Sequence, residues 1–270
     1  MKYNNTITSI AIGSFDGLHL GHQALIKQVE ALIIIERNSG YLTPGYRRSD
    51  HTDKLCFFYH FDKIKELAPE GFVARLREDF PLLEKIVVGY DFHFGKAKSG
   101  NAAMLKALFP GEVIVVEQVT HENTAVHSRM IKQYLREGDV KKANALLGRE
   151  YLMEGEPICG QGLGKKELFP TINLFVDHYQ LPLEGVYATR TKVDGSWHPS
   201  VSFLGHRVST DGTYAVETHL LDRTIEEVDR FVEVAFVGFI RPNQKFESLE
   251  ALKMQIAEDI QKAKEILDER

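Results

Sequence analysis

The sequence predicts an α/β domain built on a parallel sheet, followed by an antiparallel β-barrel domain that ends in an amphipathic helix. Three observations carry this expectation. In the first half, uninterrupted apolar runs at 31–35, 86–88 and 113–116 alternate with helical patterns, as strands buried on both faces of a parallel sheet do. From Tyr151 onward the runs are short and alternating and are broken by Gly, Pro and Asp, the pattern of an antiparallel barrel. The chain has 270 residues, which suits two domains against a norm of about 150 residues each.

Composition narrows the function. Hydrophobic residues make up 43% and charged residues 26%, a balance that excludes a disordered chain. Thirty-three Lys and Arg against 38 Asp and Glu leave a net charge of −5, which argues against a broad basic face for nucleic acid. Any anionic ligand must then be held by local groups. Cys56 and Cys159, far apart, form neither a disulfide framework nor a metal cluster, and both are expected to be buried small hydrophobes. The first residues carry no signal-peptide pattern, and the longest apolar run, 31–35, is far too short to span a bilayer. The expectation is a cytoplasmic protein with no membrane or nucleic-acid partner.

Taken in order, Ile7, Ile10, Ala11 and Ile12 form a β-prone run that stops at Gly13, and Gly13-Ser14-Phe15-Asp16-Gly17 reads as a turn. Leu20, Ala24 and Leu25 then recur at helical spacing, and the run 31–35 is the next strand. The strands at 86–88 and 113–116 flank a helix through Met104, Leu105 and Leu108. Such sheets bind ligands beyond the carboxyl ends of their strands, where 13–22 and 89–95 fall. In the first of these loops His19 and His22 stand at the entrance to a helix, where unpaired N–H groups and the helix dipole favour a phosphate. Gly21 lets the backbone approach closely.

In the second half a helical stretch ends at Gly148-Arg149-Glu150-Tyr151, and the domain boundary is placed between 149 and 150. Strand candidates follow at 151–157, 186–193, 198–204, 215–221 and 232–239. Leu249, Leu252, Ile256, Ile260, Ala263 and Leu267, at steps of three or four, mark the terminal amphipathic helix. Gly160, Gly162 and Gly164, followed by Lys165 and Lys166, make a loop whose amides and ammonium groups can cover phosphates. By spacing alone the same stretch reads equally as a glycine-rich hairpin. Pro170-Thr171-Ile172-Asn173 places a hydroxyl and an amide oxygen at alternate positions, hence on one face of a strand, where they suit a partly hydrated Mg²⁺ beside phosphate oxygens.

Gly13-Ser14-Phe15-Asp16-Gly17-Leu18-His19-Leu20-Gly21-His22 resembles the His-x-Gly-His signature of the adenylyl- and cytidylyltransferase superfamily in its flavin adenylyltransferase form. Val87-Val88-Gly89-Tyr90-Asp91-Phe92-His93-Phe94-Gly95-Lys96 resembles that branch's second motif. Residues 126–132 stand where the superfamily has Ser-Ser-Thr-x-Ile-Arg, with His127, Arg129 and Lys132 in place of Ser, Thr and Arg. Lys132 keeps the charge without the bidentate fork. The stretch 160–173 resembles the glycine-rich loop and Pro-Thr-Ala-Asn motif of riboflavin kinase, and the segments 185–188, 217–222 and 239–249 match that domain in order. As a whole the chain resembles the prokaryotic bifunctional riboflavin kinase/FMN adenylyltransferase family.

That resemblance implies a Rossmann-like nucleotidyltransferase domain over 1–149 and a kinase barrel over 150–270. It implies that ATP phosphorylates riboflavin to FMN and then adenylylates FMN to FAD and pyrophosphate. Glu217 would be the kinase's general base, and Thr171 and Asn173 its Mg²⁺ ligands. Gly160, Gly162, Gly164, Lys165, Lys166, Pro170, Thr171 and Asn173 would bind the kinase's ATP. Arg241 would orient flavin there or else serve only the strand end. In the first domain Gly13, Ser14, Phe15, Asp16, His19, Gly21, His22, Ser128 and Lys132 would bind ATP, His19 and His22 being catalytic, and Asp91 and Phe92 would bind flavin. There are departures. The family's Phe-Glu-Pro-His-Pro segment is missing and the polar stretch 43–53 stands there; Leu168 replaces a Gly; and 203–209 replaces Asn-Ile-Gly-x-Arg-Pro-Thr. Two rival readings are a chain with only one active half, the adenylyltransferase being degenerate, and a non-catalytic flavin- or nucleotide-binding regulator. The expected partners are ATP, riboflavin and FMN, for a monomer or weak homo-oligomer.

Overall fold

A computed structural model describes residues 6–37, 41–158, 169–207, 214–223 and 230–268. Its contacts divide into two units, Met1–Ser128 and Arg129–Arg270. In the first unit the chain runs β1 (Ser9–Gly13), α1 (Leu20–Ile26), β2 (Ala31–Glu36), β3 (Leu55–His60), α2 (Phe61–Ile64), α3 (Pro69–Asp79) and β4 (Lys85–Gly89). It continues through β5 (His93–Phe94), β6 (Gly100–Asn101), α4 (Ala102–Leu108), β7 (Glu112–Val116), β8 (Thr120–His121) and β9 (Thr124–Ala125). The sheet has the order β3-β2-β1-β4-β7, and its strands are parallel.

Period-two alternation explains why its strands read as continuous apolar runs. Ile10, Ile12, Ile33, Ile86 and Val88 meet Phe72 and Leu76 of α3 and Leu105 of α4. The alternate set, Ala11, Leu32, Ile34 and Val87, meets Leu25 and Ile26 of α1 together with Phe15 and Leu18 of the first loop. Both faces are therefore dry. Strand β3, absent from the sequence expectation, is an edge strand in which Cys56, Phe57, Phe58 and Tyr59 are half-buried. Cys56, expected to be buried, thus packs at the margin of a core, while Cys159 lies outside the described residues.

The second unit is led by α5 (Ser128–Arg136) and α6 (Val140–Leu147), which ends on the left-handed Gly148 at φ 73°. These helices belong with the barrel for a stated reason. The Leu135 carbonyl accepts from the Leu183 N–H at 2.8 Å, and the buried Asn144 amide donates to the Phe236 carbonyl and accepts from the Tyr151 N–H. Strands β10 (Tyr151–Ile158), β11 (Ile172–Phe175), β14 (Tyr214–Leu220), β13 (Ser196–His206), β12 (Gly185–Val193) and β15 (Val232–Pro242) then close a barrel in that spatial order. All of its strand pairs are antiparallel.

Along β12 the side chains alternate. Val186 and Ala188 pack with Val201 and Val237 against Ala263 and Leu267 of α7 (Leu249–Asp268), whereas Thr189 and Thr191 are fully buried and bonded to Ser200, Ser202 and Thr218. The terminal amphipathic helix is thus the outer wall of one side of the barrel. Among the described residues no helix is long and apolar enough to cross a membrane.

Candidate active sites

The loop after β1 is held in a costly conformation. Phe15 and Leu18 adopt φ of 49° and 42°, a region that L residues rarely visit, on either side of Gly17 at 89°. Both side chains are buried in the core beneath the loop, and that burial offsets the strain. The result is a fixed platform for His19, which is 5% exposed. Its Nδ1 accepts the His22 N–H at 3.3 Å and so caps α1. With Nδ1 an acceptor, the proton of the neutral ring sits on Nε2. The His22 ring stacks on His19 at 3.6 Å between centroids and takes the edge of Phe15 at 5.2 Å.

Burial pushes the His19 imidazole down to about 3, and the neighbouring His127 adds to this. His22 is held well below the usual histidine range, first by burial and then by His19, Arg48 and His127. The pair is therefore neutral at ordinary pH and offers N–H donors rather than positive charge. Of the backbone N–H groups at this helix entrance, that of His22 is taken by His19 Nδ1. Gly21 has a specific use: a Cβ there would come within 3.2 Å of the His19 ring and of the Val126 carbonyl.

The other expected residues of this site fall into distinct places. Gly13 ends β1, and a Cβ there would touch the Phe15 ring at 3.4 Å. Ser14 is exposed and begins the loop. Asp16, expected to face ATP, is 5% exposed, and its Oδ1 accepts the N–H groups of Leu42 and Thr43 at 2.7 and 3.2 Å. It therefore fastens the segment after β2. Ser128 donates its hydroxyl to the Asp16 carbonyl at 2.7 Å, tying the third motif to the first. Asp91 is exposed beyond β4, and the half-buried Phe92 stacks with Phe94 at 5.6 Å and leans on the core. Lys132 lies on α5 in the second unit, half-buried. His127, present where a serine was expected, contacts Tyr90 Oη at 3.0 Å and Gln118 Nε2 at 3.1 Å.

The second cluster stands on β11 and β14. Asn173 and Glu217 are register partners, and the neighbouring Thr218 points into the barrel, so Glu217 faces outward. Between them lies a group not assigned from sequence. Arg207 donates Nε to Glu217 Oε1 at 2.6 Å and Nη2 to Asn173 Oδ1 at 2.6 Å. Thr171 is exposed just ahead of β11, and the Pro170 carbonyl accepts from His219 Nδ1 at 2.7 Å. Gly160, Gly162, Gly164, Lys165, Lys166 and Leu168 lie outside the described residues, as do Val208 and Ser209. Arg241, expected to meet flavin, gives Nε and Nη2 to the buried carboxylate of Asp259 at 2.9 and 2.7 Å, pinning α7 to β15. Among the described residues no group of three or more His, Cys, Asp or Glu is arranged to hold a metal ion. Hydroxyl, amide and carboxylate oxygens at Thr171, Asn173 and Glu217 are nonetheless hard donors of the kind Mg²⁺ prefers.

Comparison with known proteins divides the chain in the same order. The family profile described as FAD synthetase matches residues 1–38 and 48–130, and that described as riboflavin kinase matches residues 147–267. The bifunctional riboflavin kinase/FMN adenylyltransferase of Listeria monocytogenes is 30% identical, over 93% of this chain and 90% of that protein. The protein of that description from Mycoplasma pneumoniae is also 30% identical, over 94% and 96%. Its counterpart in Escherichia coli is 26% identical, over 95% and 91%. A crystal structure described as a macrolide-efflux protein from Streptococcus pneumoniae superposes with a TM-score of 0.86 over 97% of this chain and 95% of its own; at 24% identity the likeness is one of fold.

Proposed function

Since this chain belongs to the bifunctional riboflavin kinase/FMN adenylyltransferase family, we propose that residues 150–270 phosphorylate riboflavin and residues 1–149 adenylylate the product. It is a transferase that makes FMN and then FAD. The substrates are ATP, riboflavin and FMN, and we place the enzyme in the cytoplasm. The observation that most supports this reading is that both profiles match in order while each half carries its own cluster of chemically suitable side chains. Retention of an outward carboxylate at Glu217 speaks against a mere binder, which has no use for a base.

In the kinase half Glu217 takes the proton of the ribityl 5′-hydroxyl as that oxygen attacks the γ-phosphorus of ATP, and ADP leaves. Arg207 aims the Glu217 carboxylate and holds Asn173 beside it. Thr171 and Asn173 would hold Mg²⁺, which would neutralise phosphate charge. In the adenylyltransferase half an oxygen of the FMN phosphate attacks the α-phosphorus of ATP, and the bond to pyrophosphate breaks. That nucleophile is already an anion, so no base is required. His19 gives its Nε2 proton as a hydrogen bond to the phosphate oxygens on which charge builds, with His22 beside it. Asp16, Gly21 and Ser128 keep that loop in place.

Incubation with riboflavin, ATP and Mg²⁺, followed by chromatography of the flavins, tests the scheme. FMN should appear first and FAD after it. FMN alone would mean that the first half is inert, and neither product would remove the proposal.

A further inference from the structure

The scheme leaves out the polar stretch 43–53, which begins in the gap between the two matched parts of the first profile, and that stretch contains a group with unfinished chemistry. Residues Gly45–His51 form a 3₁₀ turn, and Arg48 within it is 0% exposed. Enclosing a guanidinium is costly unless its charge and its donors are matched. Here the match is partial. Nη1 is paired with Glu36, itself 8% exposed at the end of β2, and the guanidinium carbon lies 4.7 Å over the Tyr41 ring. Nε and Nη2 are enclosed and have no hydrogen-bond partner among the described residues.

Those two nitrogens form the edge of the guanidinium that grips a two-oxygen anion. The same protein shows the edge filled: Nε and Nη2 of Arg241 hold the carboxylate of Asp259. At Arg48 no carboxylate among the described residues takes that place, since Glu36 is on Nη1. The turn is also tied to the histidine site. Asp16 binds the backbone at Leu42 and Thr43, and Tyr46 packs its ring on Phe58 of β3 at 4.7 Å. Glu36 stands just past Ile34, the register partner of Gly13, so the Arg48 carboxylate anchor is at the same end of the sheet as the His19 loop. The charge of Arg48 is felt at His22, whose Nδ1 is likewise enclosed without a partner among the described residues.

We propose that Arg48 is a substrate-binding residue of the adenylyltransferase site, its Nε and Nη2 taking two oxygens of a phosphoryl group of ATP or of FMN beside His22, with Glu36 as its positioning residue. The inference rests on adenylyl transfer taking place at His19 and His22. It gives the stretch 43–53 a use: a segment that looks like a polar loop supplies a buried cation to the site.

The test is Arg48→Lys in the full chain, which keeps the charge and loses the two-point grip. The KM of the substrate whose phosphoryl group Arg48 holds should rise about tenfold or more, while the other KM and the rate of riboflavin phosphorylation stay within about twofold. A rise for ATP assigns the nucleotide's phosphates, and a rise for FMN assigns the flavin's. Both KM values unchanged in a folded variant would overturn the inference. His19→Ala serves as the companion: if it still makes FAD at the wild-type rate, the location of the site is wrong, whereas a dead His19→Ala with an unaffected Arg48→Lys removes only the role of Arg48. Should Arg48→Lys fail to fold, the unmodified chain answers by NMR. The Arg48 Nε–H resonance should move when ATP or FMN is added, and no movement at saturation with either would overturn the inference.

Discussion

His19 and His22 sit against apolar loop residues and are kept neutral, whereas Glu217 and Asn173 sit on the outer face of barrel strands and are cross-linked by a cation. The difference follows what each reaction asks for. Adenylyl transfer begins with a phosphate anion, so it needs fixed donors and no base, and a neutral stacked pair of imidazoles can be enclosed at far smaller cost than ions. Phosphorylation of an alcohol must remove a proton, so it needs a carboxylate as base, and the proposed one, Glu217, is partly buried and paired with Arg207. Buried and neutral against partly buried and ion-paired is thus the contrast between the two clusters.

The comparison breaks most decisively at Glu217. Glu217→Gln should lower riboflavin phosphorylation by about 10²- to 10⁴-fold, the usual worth of a positioned base, while supplied FMN is still adenylylated at close to the normal rate. His19→Ala should do the reverse, lowering FAD formation from FMN by about 10²- to 10³-fold and leaving FMN formation intact. Initial rates with each flavin, read by chromatography, check both. A folded variant of either kind that lost both activities would show that the two clusters do not work separately.

A smaller effect separates the clusters by pH. A histidine near 6.5 when unfolded and about 3 in the folded first unit takes up its proton only on unfolding. Between those values the unfolded state binds more protons, so the first unit loses stability as pH falls below 6.5 and has its full stability above that. For His19 the loss at pH 5 is on the order of 2 kcal/mol, and His22 acts in the same direction. Hydrogen exchange of the β1 and α1 amides at pH 7.5 and pH 5 should register it, and His19→Gln/His22→Gln should flatten the response. An unchanged slope in the double variant would place the titration elsewhere.

What sequence showed and what it missed have a common cause. Strands β1, β2, β4 and β7 and the barrel strands β10, β12, β13, β14 and β15 were legible because period-two burial writes itself locally, whereas the four-residue β11 was not among the strand candidates. His19, His22, Asn173 and Glu217 were singled out from short motifs, and the fold brings His19 beside His22 and Asn173 beside Glu217. Arg207 was not, because its meaning lies in contacts with residues 34 and 10 positions away that only strand register brings together. Arg48 was not either, since a charged residue in a polar stretch gives no sign of burial until Glu36 closes on it. Asp16 was placed correctly in the loop, yet its carboxylate serves Leu42 and Thr43, because a buried carboxylate beside unpaired amides binds them first. Edge strand β3, with six residues none of which is fully buried, lacked the signature that betrayed its neighbours.

The smallest test concerns what lets the second site stay on the outside. Within the barrel Ser202 donates to Thr218, and bonds run on from Thr218 to Thr191, Ser200, Thr189 and back to Ser202. Five hydroxyls with one proton each close this ring only if every one donates once in the same sense, so no polar atom in the interior is wasted. The ring holds β12, β13 and β14 together from within, and Thr218 is the residue next to Glu217. Thr191→Val keeps the shape but leaves Ser200 and Thr218 each short of a partner, at a cost of about 1–3 kcal/mol. Trp197, the single tryptophan, lies on β13, so its fluorescence during urea unfolding reports this barrel alone. The midpoint should fall, while riboflavin phosphorylation by the folded variant stays within about twofold, because Thr191 faces away from the Glu217 side. Replacing Thr218 as well should cost less than twice as much, since the ring is already open. Fully additive losses would mean that the hydroxyls act as separate pairs, and a Thr191→Val midpoint equal to wild type would mean that the ring contributes nothing to stability.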